Sequence, residues 1–380
     1  MKRREFLAAS VAALLAPRLA FAQDAYRRLL ILVELKGGND GLNTVVPYAD
    51  PRYYGLRPRL ALKREEVLQL DERSGLHPAL QPLLPLWKAG ELAVVQGLGY
   101  PLPNLSHFRS IEIWDTASRS DQYLGEGWLG RAFAASPVPQ AFAADGVSVG
   151  GADLGPLAGN GARAIALNDP ESFLRQARLA NPAGAKRNAA LAHILKVESD
   201  IVQAASHLNG NTAFRTEFPR GAFGNAVRTA AQLAANPAGI AAIRLSLGGF
   251  DTHQNQPGTQ ARLLGELAEG IAALKTALSE IGRWDSTLLL TYAEFGRRPQ
   301  ENASMGTDHG TASAHFVAGG RVRGGLYGGP PQLADMDGGN LRYSIDFRSL
   351  YATVLERWWG LEAARTLGGR FAPLELLKQV

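Results

Sequence analysis

Apolar positions along this chain follow two rhythms. Short, nearly continuous apolar runs, most of them bounded by Gly or Asp, occur at Leu29 to Leu35, Leu92 to Gln96, Val147 to Val149, Ala164 to Leu167, Ala241 to Leu247, Thr287 to Tyr292 and Phe316 to Ala318. A run without a polar alternate face predicts a strand buried on both sides, as in the sheets of α/β proteins. Between the runs, helical patterns cover His77 to Lys88, Ser106 to Thr116, Pro170 to Leu179, Asn188 to Leu208, Ala222 to Ala235, Gln260 to Ile281 and Phe347 to Trp359. Strands alternating with helices predict a three-layer α/β/α sandwich whose functional groups gather on loops at the carboxyl ends of strands. The Ala- and Asn-rich stretch from Pro182 to Asn236 is poor in motif-like residues and reads as packing. No internal repeat and no interdomain linker interrupts residues 23–380, which read as a single domain.

The N-terminus departs from both rhythms. Arg3-Arg4 precede an uncharged stretch from Phe6 to Pro17, and Ala20-Phe21-Ala22 follows. Twin arginine, apolar core and small-residue end are the order of an export signal cleaved after Ala22, so residues 1–22 are expected to leave a periplasmic or secreted protein. The stretch is shorter than the roughly 20 residues that span a bilayer, and no transmembrane anchor is expected after cleavage.

Charge and composition then narrow the chemistry. Losing the leader takes the chain from 40 basic and 35 acidic residues to 36 and 34, a net charge of +2. Basic residues form short doublets such as Arg27-Arg28 and Arg297-Arg298 and no phosphate-tracking stripe, which argues against nucleic acid as a partner. There is no cysteine, so no disulfide supports the exported fold. Any metal must be held by His, Asp, Glu or hydroxyl ligands.

Four segments combine a strand end or helix start with side chains able to bind metal or attack. Gly37-Gly38-Asn39-Asp40-Gly41 follows the first run, where glycines free the backbone to aim Asp40 into a cleft or to make a tight turn that Asp40 caps. Ser106-His107-Phe108 opens a helix after a Pro-containing loop, which places the Ser106 hydroxyl at the positive end of a helix dipole, as an N-cap or as a nucleophile. Gly249-Phe250-Asp251-Thr252-His253 sets a hard oxygen beside an imidazole after another strand. Glu294-Phe295-Gly296-Arg297 ends the run at Thr287 to Tyr292, and the polar loop after it returns through Asp308-His309-Gly310 toward His315. Of the seven histidines, His107, His253, His309 and His315 fall in these segments, whereas His77 adjoins a proline and His193 and His207 lie on plain helical patterns. That clustering points to a shared metal site.

Together with the export signal, these motifs resemble a bacterial family of twin-arginine-exported proteins known as domain of unknown function 1501, grouped with the alkaline phosphatase and sulfatase superfamily. The resemblance extends over nearly the whole chain. It implies an alkaline-phosphatase-like fold in which Asp40 matches the Asp after the first strand, Ser106 the nucleophile at a helix start, and Asp251 and His253 an Asp and His ligand pair. The commonest superfamily spacing leaves three residues between that pair, and here there is one.

Two placements of the remaining ligands compete. Glu294 stands at the next acidic position with Phe295 in place of a histidine and His309 downstream, or Asp308-His309 form that pair and His315 follows. In the first placement Phe295 removes a nitrogen ligand and with it a complete two-metal site. The absence of cysteine rules out the formylglycine nucleophile of sulfatases. The resemblance thus implies a divalent metal (zinc, manganese or calcium) held by Asp40, Asp251, His253, Glu294, Asp308 and His309. The activity it implies is hydrolysis of small-molecule or polymer phosphate or sulfate esters through Ser106. A degenerate exported binding or assembly protein that keeps the fold and a structural metal is the alternative.

Overall fold

The computed structural model describes residues 25–167 and 212–378. The leader at 1–22 and the helical patterns at 170–179 and 188–208 lie outside them, as does much of the stretch from 182 to 236.

The first apolar run becomes β1 (Leu29–Lys36), buried from Leu29 through Leu35. Its alternate residues enter different cores: Leu29, Ile31, Val33 and Leu35 face one, and Leu30 and Leu32 the other. The remaining runs form β2 (Leu92–Gly99), β3 (Ala144–Val149), β4 (Ala164–Leu167), β5 (Ile240–Gly248), β6 (Thr287–Tyr292) and β7 (Ser313–Ala318). Two short strands, β8 (Gly325–Tyr327) and β9 (Ile345–Asp346), complete a nine-stranded sheet of order β8-β2-β7-β6-β1-β5-β3-β4, with β9 also on β2. Every pairing in it is parallel except those of β7, which runs antiparallel to β2 and β6.

Helices cover both faces. The principal ones are α1 (His107–Thr116), α2 (Trp128–Ala135), α3 (Ala222–Ala234), α4 (Gln256–Glu280) and α5 (Phe347–Ala352). Residues of α3 and α4 and of the segment 78–88 join the core under one face, and residues of α1, α2, α5 and the chain after it join the core under the other. The three-layer α/β/α sandwich therefore follows from strands that are apolar on both sides. No helix among the described residues is long and apolar enough to cross a membrane.

Three helical patterns take a different local form. The one at His77 to Lys88 is a 3-10 segment (Pro78–Leu83) leading into a short α-helix (Leu84–Lys88), with Pro82 inside the first. Helix α4 starts at Gln256 rather than Gln260, and Pro257 sits in its first turn, where a missing N–H leaves no bond unmade. Beyond α5 the chain widens into a π turn over Thr353–Trp358.

The antiparallel β7 is what assembles the site. β5, β1 and β6 are adjacent and parallel, so their carboxyl ends share one edge of the sheet. The chain leaves β6 at that edge, makes a hairpin of Arg297–Glu301 against Thr307–His309, and re-enters as β7 beside β6. Glu294, Arg297, Asp308 and His309 consequently all sit on one excursion above the ends of β1 and β5.

Candidate metal centre

The loop after β1 turns at Gly37 and Gly38, both at positive φ, +113° and +77°. A Cβ on Gly37 would stand 2.4 Å from the Asp251 backbone nitrogen, and one on Gly38 would meet the Phe295 ring at 2.5 Å. Only glycine lets the β1, β5 and β6 loops pack this closely. The fully buried Arg297 joins the same loops, donating from Nε to the Gly38 carbonyl and from Nη1 to the Thr307 carbonyl, each at 2.8 Å. Its Nη2 donates to the carbonyls of Gly37 and Phe250 and, at 2.6 Å, to Asp251 Oδ1. Burial by itself would raise the Asp251 pKa, but the hydrogen bond and the charge of Arg297 are the main causes that bring it down to about 2. Asp251 stays ionised at any ordinary pH.

Three imidazoles surround that carboxylate. Nε2 of His253 lies 3.1 Å and Nε2 of His309 3.2 Å from Asp251 Oδ1, with 3.0 Å between the two nitrogens. Nε2 of His107 lies 3.4 Å from Asp251 Oδ2. Tetrahedral zinc with bonds of 2.0–2.1 Å separates its donors by about 3.4 Å, close to these spacings. His107, Asp251 and His309 each offer a ligand atom within 4.8 Å of the others.

The other ring nitrogens are held from outside. Nδ1 of His309 is 2.8 Å from the Leu105 carbonyl, which can only accept, so that nitrogen carries the proton. Nδ1 of His107 is 2.8 Å from Glu294 Oε1, an oxygen that also accepts from the Gly37 N–H at 2.9 Å. Nδ1 of His253 faces Asp308 Oδ1 at 3.4 Å. A neutral ring with its proton on Nδ1 presents a lone pair at Nε2. Three such lone pairs and a carboxylate converge with Arg297 as the cation beside them, an arrangement that a bound cation relieves. This outer ring of acceptors is the one found behind metal-binding histidines. Phe295 closes one side, with its ring centroid 4.9 Å from that of His107 and 4.4 Å from that of His309.

A family described as "Protein of unknown function (DUF1501)" matches residues 93–367. The chain belongs to this family. The matched span contains His107, Asp251 and His309, whose ligand atoms lie close to one another in this DUF1501 chain, and His253 beside them. No curated protein is similar enough to count as a match. Among solved structures, the chain is similar to the zinc complex of the C-terminal periplasmic domain of EcEptC from Escherichia coli, at 9% identity and a TM-score of 0.40 over 77% of this chain and 73% of that one. It is similar to the PsFucS1 sulfatase from Pseudoalteromonas sp., at 11% identity and a TM-score of 0.43 over 99% and 75%. The phosphonate monoester hydrolase SpPMH from Silicibacter pomeroyi gives 12% identity and 0.40 over 90% and 74%.

The residues singled out in the sequence of this DUF1501 protein divide into two groups. Asp251, His253 and His309 stand in the cluster, while Asp308 and Glu294 touch it from outside through His253 and His107. Asp40 is held elsewhere. Its carboxylate receives both terminal nitrogens of buried Arg57, at 2.5 and 3.0 Å, the Gln256 side chain at 2.5 Å and the Leu42 N–H at 3.1 Å, which commits its acceptor capacity. Ser106 is the exposed N-cap residue of α1, and its side chain makes no capping hydrogen bond. His315 is buried, with its ring 5.7 Å from that of Trp114 and its Nδ1 3.4 Å from the Thr291 hydroxyl. His107 and Arg297 are the contributors the sequence reading left in lesser roles. The signal for His107 is an imidazole at a helix start beside a serine, and it stands among the four clustered histidines of the sequence without a place in the implied ligand set.

Proposed function

We propose that this chain is an exported metal-dependent hydrolase of phosphate or sulfate esters with one metal centre. The observation that carries the reading is the convergence of three outward-anchored imidazoles on the ionised Asp251 at donor spacings of 3.0–3.4 Å. His107, Asp251 and His309 are the ligands in this reading, with His253 beside them, so that a coordination position stays open for substrate. Imidazole nitrogens favour zinc over calcium and manganese, which suit oxygen ligands. When bound, the metal supplies Lewis-acid charge to the ester's anionic oxygens.

The chain's own residues do the rest. Glu294, Asp308 and the Leu105 carbonyl hold the three rings in the tautomer that binds metal, and Arg297 keeps Asp251 ionised and in place. Ser106 is the proposed nucleophile: its hydroxyl adjoins His107, is exposed, and sits at the N-terminus of α1, where the helix dipole favours an attacking alkoxide and a bound anion. Export is read from the twin arginine and the Ala20-Phe21-Ala22 end of the leader.

The test is metal content by mass spectrometry together with turnover of aryl phosphates and aryl sulfates by mature protein and by Ser106→Ala. The expected result is one equivalent of metal and turnover that Ser106→Ala loses while keeping its metal. Protein free of metal after purification and unable to take up zinc or manganese would refute the centre. A loaded protein inert on every ester would refute the hydrolase.

A further inference from the structure

The described residues expose five large apolar side chains, Leu102, Phe108, Tyr123, Met305 and Tyr343, and the first four lie in segments tied to those that carry the cluster histidines. Phe108, 88% exposed, directly follows His107. Leu102, 81% exposed, lies in the loop whose Leu105 carbonyl anchors His309. Tyr123, 75% exposed, stacks 4.0 Å from the Arg109 guanidinium, and Arg109 also ties down the carbonyls of Arg119, Ser120 and Gln122. The Ser120 hydroxyl then bonds the Pro101 carbonyl at 2.9 Å, joining Tyr123's loop to that of Leu102. Met305 lies in the hairpin turn, where Asn302 donates to the His253 carbonyl at 2.9 Å and the Met305 carbonyl accepts from the Gln256 N–H.

Single exposed apolar residues are ordinary, but these carry a second cost. Leu102 and Met305 both sit at positive φ, 53° and 57°, a region that costs a side-chain-bearing residue of order 1–3 kcal/mol. Unfavourable backbone and unfavourable exposure thus coincide in two loops that each hold a cluster histidine, one through the Leu105 carbonyl and the other through Asn302. A purely polar ligand would gain nothing from either.

We infer that the site takes an anionic ester whose alcohol part is an alkyl or aryl group, with the charged head at the histidine cluster and the apolar part lying against Leu102, Phe108, Tyr123 and Met305. The inference rests on the ester-binding reading above and names the substrate class for it. Affinity should then rise with the length of the apolar part, because each methylene covered leaves water.

Calorimetric titration of the metal-loaded mature protein with methyl, butyl and octyl phosphate, and with the matching sulfates, tests this. Octyl esters are expected to bind at least roughly tenfold more tightly than methyl esters. In the double variant Leu102→Ser, Phe108→Ser that ratio should collapse toward one. Both positions are exposed, so the fold should tolerate the change, and circular dichroism checks it. Methyl esters that bind with no gain along the series would overturn this inference and leave the hydrolase reading standing. A gain that the double variant retains would also overturn it, as would binding of phosphatidylcholine vesicles through Phe108 that octyl phosphate does not displace. Failure of every ester to bind would sink both readings.

Discussion

Glu294 Oε1 stands 2.8 Å from Nδ1 of His107 while accepting the Gly37 N–H from the neighbouring strand end. The buried carboxylate thereby orients a cluster imidazole through the ring nitrogen that faces away from Asp251. Glu294→Gln keeps the shape and an acceptor oxygen but loses the charge. Removing such an outer partner typically costs metal affinity about 10–100-fold. Zinc titration against a competing chelator should show a loss in that range at an unchanged far-ultraviolet spectrum. Affinity equal to wild type would mean that Glu294 does not orient a ligand.

Asp40 and Arg57 form a pair whose side chains are almost wholly buried. Breaking one side of such a pair costs about 3–5 kcal/mol because the remaining charge is stranded. Asp40→Asn is therefore expected to lower the urea midpoint sharply while leaving zinc affinity as it was. A variant with normal stability and lost metal would return Asp40 to the ligand set expected from the sequence.

Gly37→Ala places a methyl group 2.4 Å from the Asp251 nitrogen at a φ of +113°. Strain of order 1–3 kcal/mol follows, and the β1 and β5 loops must part. The melting temperature and the zinc affinity should fall together, since the loop that moves carries Asp251. Independent behaviour of the two would break the link between loop packing and metal site.

Two histidines outside the cluster set an acid limit. Burial holds His315 at about 3 and His77 at about 4, against the usual 6.5, with Asp40 partly opposing the shift at His77. As pH falls below about 6.5 the unfolded chain binds protons that the folded chain refuses, so stability declines until the folded values are reached. Above 6.5 neither state is protonated there and this contribution is flat. Each histidine adds a slope of about 1.4 kcal/mol per pH unit between those limits. His315→Leu should make denaturation midpoints measured from pH 6.5 to pH 4 less steep by one such increment. An unchanged slope would contradict a neutral, buried His315.

How much of this was legible depended on the range of the interactions. The strands at Ala164–Leu167 and Thr287–Tyr292 have the bounds that their apolar runs predict; the second is buried at every position, whereas the first, at the sheet edge, buries Ile165 and Leu167 and leaves Ala164 and Ala166 half-buried. The hairpin of Arg297–Glu301 and Thr307–His309 was not, because Arg-Arg-Pro-Gln-Glu has no apolar alternation and is held by partners elsewhere in the chain.

The sequence by itself determined the layered architecture and the loops where chemistry could occur: most apolar runs are strands covered on both faces, and glycine-containing segments with acidic residues or histidine follow three of them. Tertiary structure decided which way each side chain faces. Asp40 turns to Arg57 and Gln256, His107 turns to Asp251 and Glu294, and Arg297 draws three loops onto one carboxylate. Those choices are made by charges and hydrogen-bond acceptors that folding brings together from distant parts of the chain, and no local pattern records them.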